Sequence, residues 1–241
     1  MKRIYTVVLA LLVLLALPAV ADIYIKQISH TDAFAMMGQE QPARDDTIHM
    51  WMGKDKMAVE MPQMKVVIDL AGNVMYWIGH QDKRYVEMTL PLDIEQYFPA
   101  QMTQLMKNVK VTVTPTEEKQ KIGEWDCQAY EMVMNIMMMD MKQKIWASTD
   151  VPFDWKDYSV KMLPKLSQAT MGLPEEAVKE MTKIQGFQIK TETIMDVPGN
   201  EMKSWQEVQE ITKKDAPEGT YAPPEGYSKK DKLDVMDIQR R

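Results

Sequence analysis

Short apolar runs separated by turn residues fill the first part of the chain, from Asp22 to about Met88. Glycine, asparagine, aspartate and proline stand between successive runs, a spacing typical of an antiparallel meander of strands. Several runs alternate apolar and polar residues, as a strand with one buried face does. The predicted strands cover residues 48–52, 57–61, 66–68, 74–78 and 84–88.

The apolar spacing changes to a helical period after Pro91. Apolar residues recur about every four positions as far as Met106, and this spacing predicts a helix within residues 91–108. Asp93 precedes the periodic segment and is its predicted N-cap.

Strands and helices are both predicted in the rest of the chain. One helix begins at Pro174 and carries Glu175 and Glu176 in its first turn, which are favourable residues at those positions. Strands at 188–195 and 202–212 flank a turn at 197–200, so they are predicted to form a hairpin. The remaining predicted elements are strands at 109–113, 127–134 and 144–147 and helices at 157–170 and 174–183.

The predicted elements sum to an α+β fold, a mostly antiparallel sheet with about three helices packed on one side. No low-complexity linker interrupts the interior, so residues 22–227 are expected to form a single domain. The chain after Lys213 is rich in Lys, Asp, Pro and Gly, and residues 228–241 are predicted to be a disordered tail.

Residues 1–21 have the three regions of a cleavable signal peptide. A basic start at Lys2 and Arg3 is followed by an apolar run over 4–17 and by small residues ending at Ala21. The run is shorter than the roughly 20 residues that span a bilayer, and no positive stop-transfer flank follows it. We therefore expect cleavage between Ala21 and Asp22, release into the periplasm and no stable membrane anchor.

The charge of the chain argues against nucleic acid as a partner. The 241 residues carry a formal net charge of −6, which becomes −8 when the two basic residues of the leader are removed. An acidic surface repels phosphate backbones.

Motifs of known catalytic chemistry do not occur in the sequence. There is no Gly-rich phosphate loop, no Gly-x-Ser-x-Gly, no His-Glu-x-x-His and no Cys-x-x-Cys. The single cysteine, Cys127, cannot form an internal disulfide and is expected to be a buried thiol. We therefore predict no enzymatic activity, no catalytic residues and no cofactor.

Four short segments stand out as possible motifs: KIGEWDC at 121–127 with Tyr130, IWASTD at 145–150, GFQIK at 186–190 and YAPPEGY at 221–227. They resemble motifs of a family of exported bacterial proteins classed as a domain of unknown function. That family looks like the wider lipoprotein-carrier group of the LolA/LppX type. The resemblance implies a strongly curved, half-barrel-like antiparallel sheet around helices, with a concave apolar face able to hold lipid or acyl chains. It implies no catalytic residues.

Methionine is unusually frequent, with 24 in 241 residues. Its flexible side chain fills irregular apolar space, so these residues can simply form the core. The same flexibility suits a sheet face open to a variable apolar ligand. Thioethers are also soft ligands that select Cu(I), which makes a copper site the third interpretation.

Two sets of candidate residues follow from these interpretations. Residues 132–141 are apolar on both faces if they form one strand, and the sequence leaves open whether they bend into a hairpin. The candidate residues for an apolar ligand are Met50, Trp51, Met52, Met75, Trp77, Met132, Met134 and Met138; those for Cu(I) are Met137, Met139 and Met141.

The sequence as a whole favours a soluble periplasmic protein that binds an apolar small molecule or lipid. The alternatives are a methionine-rich copper-binding protein and a non-catalytic structural or protein-interaction domain. The sequence assigns neither a ligand nor an oligomeric state.

Overall fold

A computed structural model describes residues 21–36, 39–100, 109–136, 139–171, 173–197, 200–234 and 237. The predicted signal peptide lies outside the described residues, apart from Ala21. The strands are β1 Ile23–Thr31, β2 Phe34–Met36, β3 Gln39–Gln41, β4 Arg44–Met52, β5 Lys56–Glu60, β6 Met64–Asp69, β7 Val74–Gly79, β8 Arg84–Thr89, β9 Val109–Ile122, β10 Trp125–Ile136, β11 Met139–Ser148, β12 Phe187–Val197, β13 Asn200–Lys213 and β14 Ser228–Lys230.

Twelve of these strands form one large curved sheet that does not close, in the order β14-β8-β7-β6-β5-β4-β1-β13-β12-β11-β10-β9. The neighbouring strands are antiparallel except for β14 and β8, which run parallel. The predicted mostly antiparallel sheet is therefore confirmed, and it is larger than the half-barrel that the resemblance implies. β2 and β3 form a separate hairpin.

The predicted meander is confirmed as β4 to β8, in which each strand pairs with the next along the chain. Turn chemistry explains its regular register. The Asp69 carboxylate accepts a hydrogen bond of 2.8 Å from the Gly72 N–H at the end of β6. Asn73 in the same turn and Lys83 in the turn between β7 and β8 have positive φ.

β1 lies in the middle of the sheet, between β4 and β13. Ile23 pairs with Met52 on one side and with Lys213 on the other. β1 therefore joins the meander to the half of the sheet formed by β9 to β13. The sequence pattern does not predict β1.

The strands after the meander are longer than predicted. β9 continues to Ile122 although most of residues 114–121 are exposed and polar, because β9 is the last strand at one edge of the sheet. The 132–141 segment bends into a hairpin, with β10 ending at Ile136 and β11 beginning at Met139. The predicted hairpin around 197–200 is confirmed by the pairing of Val197 with Asn200.

The helices are α1 Ile94–Tyr97, α2 Trp155–Lys161, α3 Leu163–Met171 and α4 Glu175–Met181. The helix predicted within 91–108 is a single turn in its described part. Asp93 caps it as predicted by accepting from the Glu95 N–H at 3.0 Å. The turn ends because Phe98 precedes Pro99 and adopts an extended conformation. Residues 101–108 lie outside the described residues.

The helix predicted at 157–170 is two helices, α2 and α3. α2 begins earlier than predicted because Asp154 accepts a hydrogen bond from the Asp157 N–H at 2.9 Å. Pro164 lacks an N–H and stands in the first turn of α3, where that donor is not needed. α4 begins directly after Pro174 with the two predicted glutamates.

Both faces of the meander carry clusters of packed side chains. On one face, Met64, Met75, Trp77 and Met88 form a cluster with residues of α1 and α3. On the opposite face Ala58, Val67 and Ile78 pack with aromatic side chains that include Tyr221 and Tyr227. We call these the helix face and the tyrosine face.

The prediction of a disordered tail over 228–241 is wrong for its first residues. Ser228–Lys230 forms β14 beside β8, and Leu233 is buried in the cluster of the helix face. The charged residues of this segment led to the prediction of disorder, but an edge strand also exposes charged side chains to solvent. Lys229 forms an ion pair of 2.9 Å with Glu87.

Candidate functional site

A notch interrupts the sheet where β4 extends beyond β5. The pairing of the two strands starts at His49 and Glu60, so residues 44–48 of β4 pair with β1 but not with β5. The chain turns after Glu60, and the turn is closed by a 2.8 Å hydrogen bond from the Met61 N–H to the Met64 carbonyl. Pro62 favours this reversal because it cannot continue a sheet ladder.

An apolar groove of about 330 Å³ lies on the helix face at this notch. Ser29, Asp46 and Gln206 lie side by side on β1, β4 and β13, so their side chains reach the same face as Ile48. Val66 is paired with Trp77 on the far side. The apolar lining residues are Ile48, Met61, Pro62, Met64, Val66 and Trp77, and the polar ones are Ser29, Arg44, Asp46, Gln63 and Gln206.

Trp77 is fixed at the base of the apolar groove. Its ring meets the Phe98 ring edge-to-face at a centroid distance of 6.3 Å, and it is only 7% exposed. Arg44 and Asp46 form an ion pair of 2.7 Å at the opposite end. The groove thus has an apolar floor and one charged end.

Two cavities lie on the tyrosine face. One, of about 380 Å³, shares Met61 and Pro62 with the apolar groove. The other, of about 290 Å³, we call the aromatic cavity. It is lined by Tyr24, His49, Trp51, Ala58, Glu60, Lys65, Lys214 and Thr220.

Short polar contacts connect the residues of these two cavities. The Tyr24 hydroxyl lies 2.6 Å from His49 Nδ1. Burial, with a smaller contribution from the charge of Glu210, raises the pKa of Tyr24, so the phenol is neutral and can donate to this nitrogen. His80 Nδ1 lies 3.1 Å from the Tyr227 hydroxyl, and its Nε2 lies 2.7 Å from Glu60 in a geometry that is not a hydrogen bond.

The structure distributes the predicted ligand residues over both faces. Trp77 lines the apolar groove, whereas Trp51 lines the aromatic cavity on the tyrosine face. Adjacent strand residues point to opposite faces, so Trp51 also points away from its neighbours Met50 and Met52. These two methionines belong to a cluster around Ile25.

The other predicted ligand residues also lie in the core. Met75 is buried in the helix-face cluster. Met132 is buried in a third cluster, which includes residues of α4, and Met134 packs against that cluster. Met138 lies outside the described residues. The structure therefore does not bring Met75, Met132 and Met134 together with Trp51, and the assignment of these residues to a ligand stays a prediction.

The residues of the predicted Cu(I) set fall at the β10–β11 hairpin. Met137 lies outside the described residues, and Met139 begins β11. Met141 is half-buried and lies directly opposite Met134 on β10. On its other side it pairs with Met195 of β12, which in turn pairs with Met202 of β13.

Sequence reasoning missed most of the lining of the apolar groove. Met61 and Met64 enclose Pro62 and Gln63, and a methionine on each side of a proline turn is a signal that could have identified the notch. It also missed Tyr24, Lys65 and Lys214, because these residues are brought together by non-local pairing.

The thiol of Cys127 is buried, as predicted. Burial, together with the negative charge of Asp126, raises its pKa to about 11, against a smaller opposing effect of the Ile122 N–H. Its Sγ lies 3.6 Å from the Trp125 carbonyl. The thiol is therefore protonated at neutral pH and is a packing group.

The described part of the chain contains no group of three or more His, Cys, Asp or Glu side chains placed to hold a metal ion. None of the helices in the described part of the chain has the length and apolar character needed to cross a membrane.

Comparison with known proteins gives one family, and the solved structures that match include two distant ones. No curated protein matches the sequence. PNGF-II matches at 13% identity with a TM-score of 0.43, over 91% of this chain but only 32% of that protein's chain, so the sequence spans about a third of its length. A DUF1329 family protein from Desulfovibrio piger ATCC 29098 matches at 9% identity with a TM-score of 0.30, over 85% of this chain and 90% of its own. The family model of DUF4412, a domain of unknown function, matches residues 24–227, and the chain therefore belongs to that family.

Proposed function

We propose that this domain binds an apolar or lipid-like ligand in the apolar groove, as a non-catalytic protein of the periplasm. The observation that carries the proposal is the groove itself, with its apolar floor on the helix face. Its volume of about 330 Å³ lies at the lower end of the roughly 300–1,000 Å³ typical of small-molecule sites.

The lining chemistry suits a single acyl chain with a polar end. Ile48, Val66 and Trp77 offer a floor of fixed shape, and each methylene buried there contributes about 0.8 kcal/mol. Met61 and Met64 are flexible and adapt to chains of different shape. Arg44 and Asp46 at the charged end can orient the ligand through hydrogen bonds.

The architecture is consistent with the carrier-like role that the sequence resemblance implies. A large curved, unclosed sheet with few helices leaves part of one face available to a ligand. The predicted signal peptide would deliver the domain to the periplasm, where apolar ligands must cross an aqueous space.

Replacing Met61 by glutamine is expected to weaken binding of a fluorescent apolar probe, N-phenyl-1-naphthylamine, about tenfold, because a polar amide enters the apolar lining. The measurement is a fluorescence titration, followed by displacement with fatty acids of increasing chain length. Longer chains should displace the probe at lower concentration.

The matched control is Met57→Gln. Met57 is also a half-buried methionine of the meander, but it packs between two core clusters and does not line the groove. This variant should keep the affinity of the unmodified protein. Equal affinity of all three proteins, or no binding of the probe at all, would contradict the proposal.

A Cu(I) site is the second candidate function, and a row of methionines favours it. Met134, Met141, Met195 and Met202 are directly opposed on the four adjacent strands β10 to β13. Opposed side chains share a face with their Cβ atoms about 4.5–5.5 Å apart, and all four of these are half-buried. The outer two strands of the row lie about 14 Å apart, so three neighbouring thioethers, and not all four, can converge on one soft ion.

Met141→Leu is expected to weaken Cu(I) binding about tenfold, because leucine keeps the apolar volume and removes the sulfur between two others of the row. Competition with bicinchoninate under reducing conditions measures this. Met75→Leu, in the helix-face cluster, is the matched control and should bind as the unmodified protein does. A domain that takes no Cu(I) from bicinchoninate would exclude this second function.

A further inference from the structure

The aromatic cavity on the tyrosine face contains a buried ammonium group. The Lys65 side chain is only 9% exposed. Its contacts in the described part of the chain are a 3.3 Å hydrogen bond to the Gly219 carbonyl and a 3.7 Å ion pair with Glu60. The second distance is too long for a hydrogen bond. An ammonium has three N–H donors, so Lys65 retains donor capacity toward the cavity that it lines.

A second ammonium group lies over the aromatic floor of the same cavity. Lys214 Nζ is 3.4 Å from the centroid of the Tyr24 ring and 5.2 Å from that of Trp51. The two rings are themselves in contact, with centroids 4.7 Å apart. Cation–π attraction holds the ammonium near the rings, while its long aliphatic stem lets it move toward a ligand.

The side chains that line the cavity carry an excess of positive charge, although Glu210, whose charge acts on Tyr24, lies nearby. Glu60 is the one acidic residue among the described lining residues, against Lys65 and Lys214. This carboxylate also lies 2.7 Å from His80 Nε2. A local excess of positive charge in a chain of net charge −6 favours an anionic ligand at this position.

We propose that the aromatic cavity binds a small organic carboxylate with a flat body. Lys65 and Lys214 would donate charge-assisted hydrogen bonds to the carboxylate, and the body would lie against Tyr24 and Trp51. The cavity volume of about 290 Å³ accommodates a ligand of one ring. This site is separate from the apolar groove, which lies on the helix face.

Benzoate is a suitable probe, and benzamide is its neutral counterpart of the same shape. In calorimetric titrations of the full chain, we expect benzoate to bind at least tenfold more tightly than benzamide, because only benzoate carries the charge that the two ammonium groups recognise. Equal affinities, or no binding of benzoate, would overturn the proposal.

Two lysine variants and one control locate the site. Lys214→Gln should weaken benzoate binding about tenfold. Lys214 is exposed, so this change leaves the core intact. Lys65→Met should weaken benzoate binding by the same factor. Lys119→Gln, on the exposed part of β9, should not change benzoate binding.

If Lys214→Gln binds benzoate as tightly as Lys119→Gln does, the proposal is wrong even if Lys65→Met fails to fold. Met61→Gln should leave benzoate binding unchanged, which separates this site from the apolar groove.

Discussion

Replacing Gly186 by alanine is expected to destabilise the fold by about 3–5 kcal/mol. Gly186 immediately precedes β12 and has a φ of +115°, a conformation that residues with a Cβ rarely adopt. An added Cβ would lie 2.5 Å from the carbonyl carbon of Ser148 and 2.6 Å from its oxygen. Ser148 ends β11 and is only 1% exposed, so its backbone cannot move away cheaply.

Urea unfolding monitored by tryptophan fluorescence measures this loss. Gly226→Ala is the matched control, because Gly226 also has a positive φ, of +81°, but no atom lies within 4 Å of the added Cβ. We expect it to cost about 1–2 kcal/mol from backbone strain alone. Equal losses in the two variants would show that the contact with Ser148 adds nothing to the strain.

Replacing Ile25 by alanine is expected to cost about 2–5 kcal/mol of folding free energy. Ile25 is fully buried in the central strand β1 and packs in a cluster with residues of β4 and β13. Alanine would leave a cavity where the two halves of the sheet meet. Well-packed surroundings collapse only partly around such a cavity.

Ile194→Ala provides the comparison for Ile25→Ala, since Ile194 also lies in a strand of the sheet but is 38% exposed. Its replacement should change stability by about 0.5 kcal/mol or less. Thermal unfolding of the two variants under the same conditions gives the difference. A smaller loss for Ile25→Ala than for Ile194→Ala would mean that β1 is not the core strand described here.

Local signals account for the parts of the fold that the sequence predicts. Turn residues such as Gly72 and Asn73 mark the ends of neighbouring strands, so β4 to β8 follow from their spacing. The position of β1 does not follow, because its partner β13 lies near the other end of the described chain. No local pattern encodes such a distant pairing.

The candidate site was less predictable for the same reason. Periodicity places Trp77 in a strand but does not say that β4 extends past β5 and opens a groove beside it. It places Trp51 in a strand as well, yet the aromatic cavity also requires Lys214, which only the β1–β13 pairing brings near. The family resemblance implied an apolar face without indicating which residues form it.

The central position of β1 has a consequence for the order of folding. The meander and the hairpins β9–β10, β10–β11 and β12–β13 rest on pairings between strands close in the chain, and these can form early. The β1–β13 pairing instead closes a loop that contains almost every other described element, so it carries a large entropic cost. A ribosome makes β1 before all its partners, and one edge of this strand stays open until β13 is made. During that interval the nascent chain exposes an unpaired strand edge, which is where aggregation begins and where a chaperone would bind.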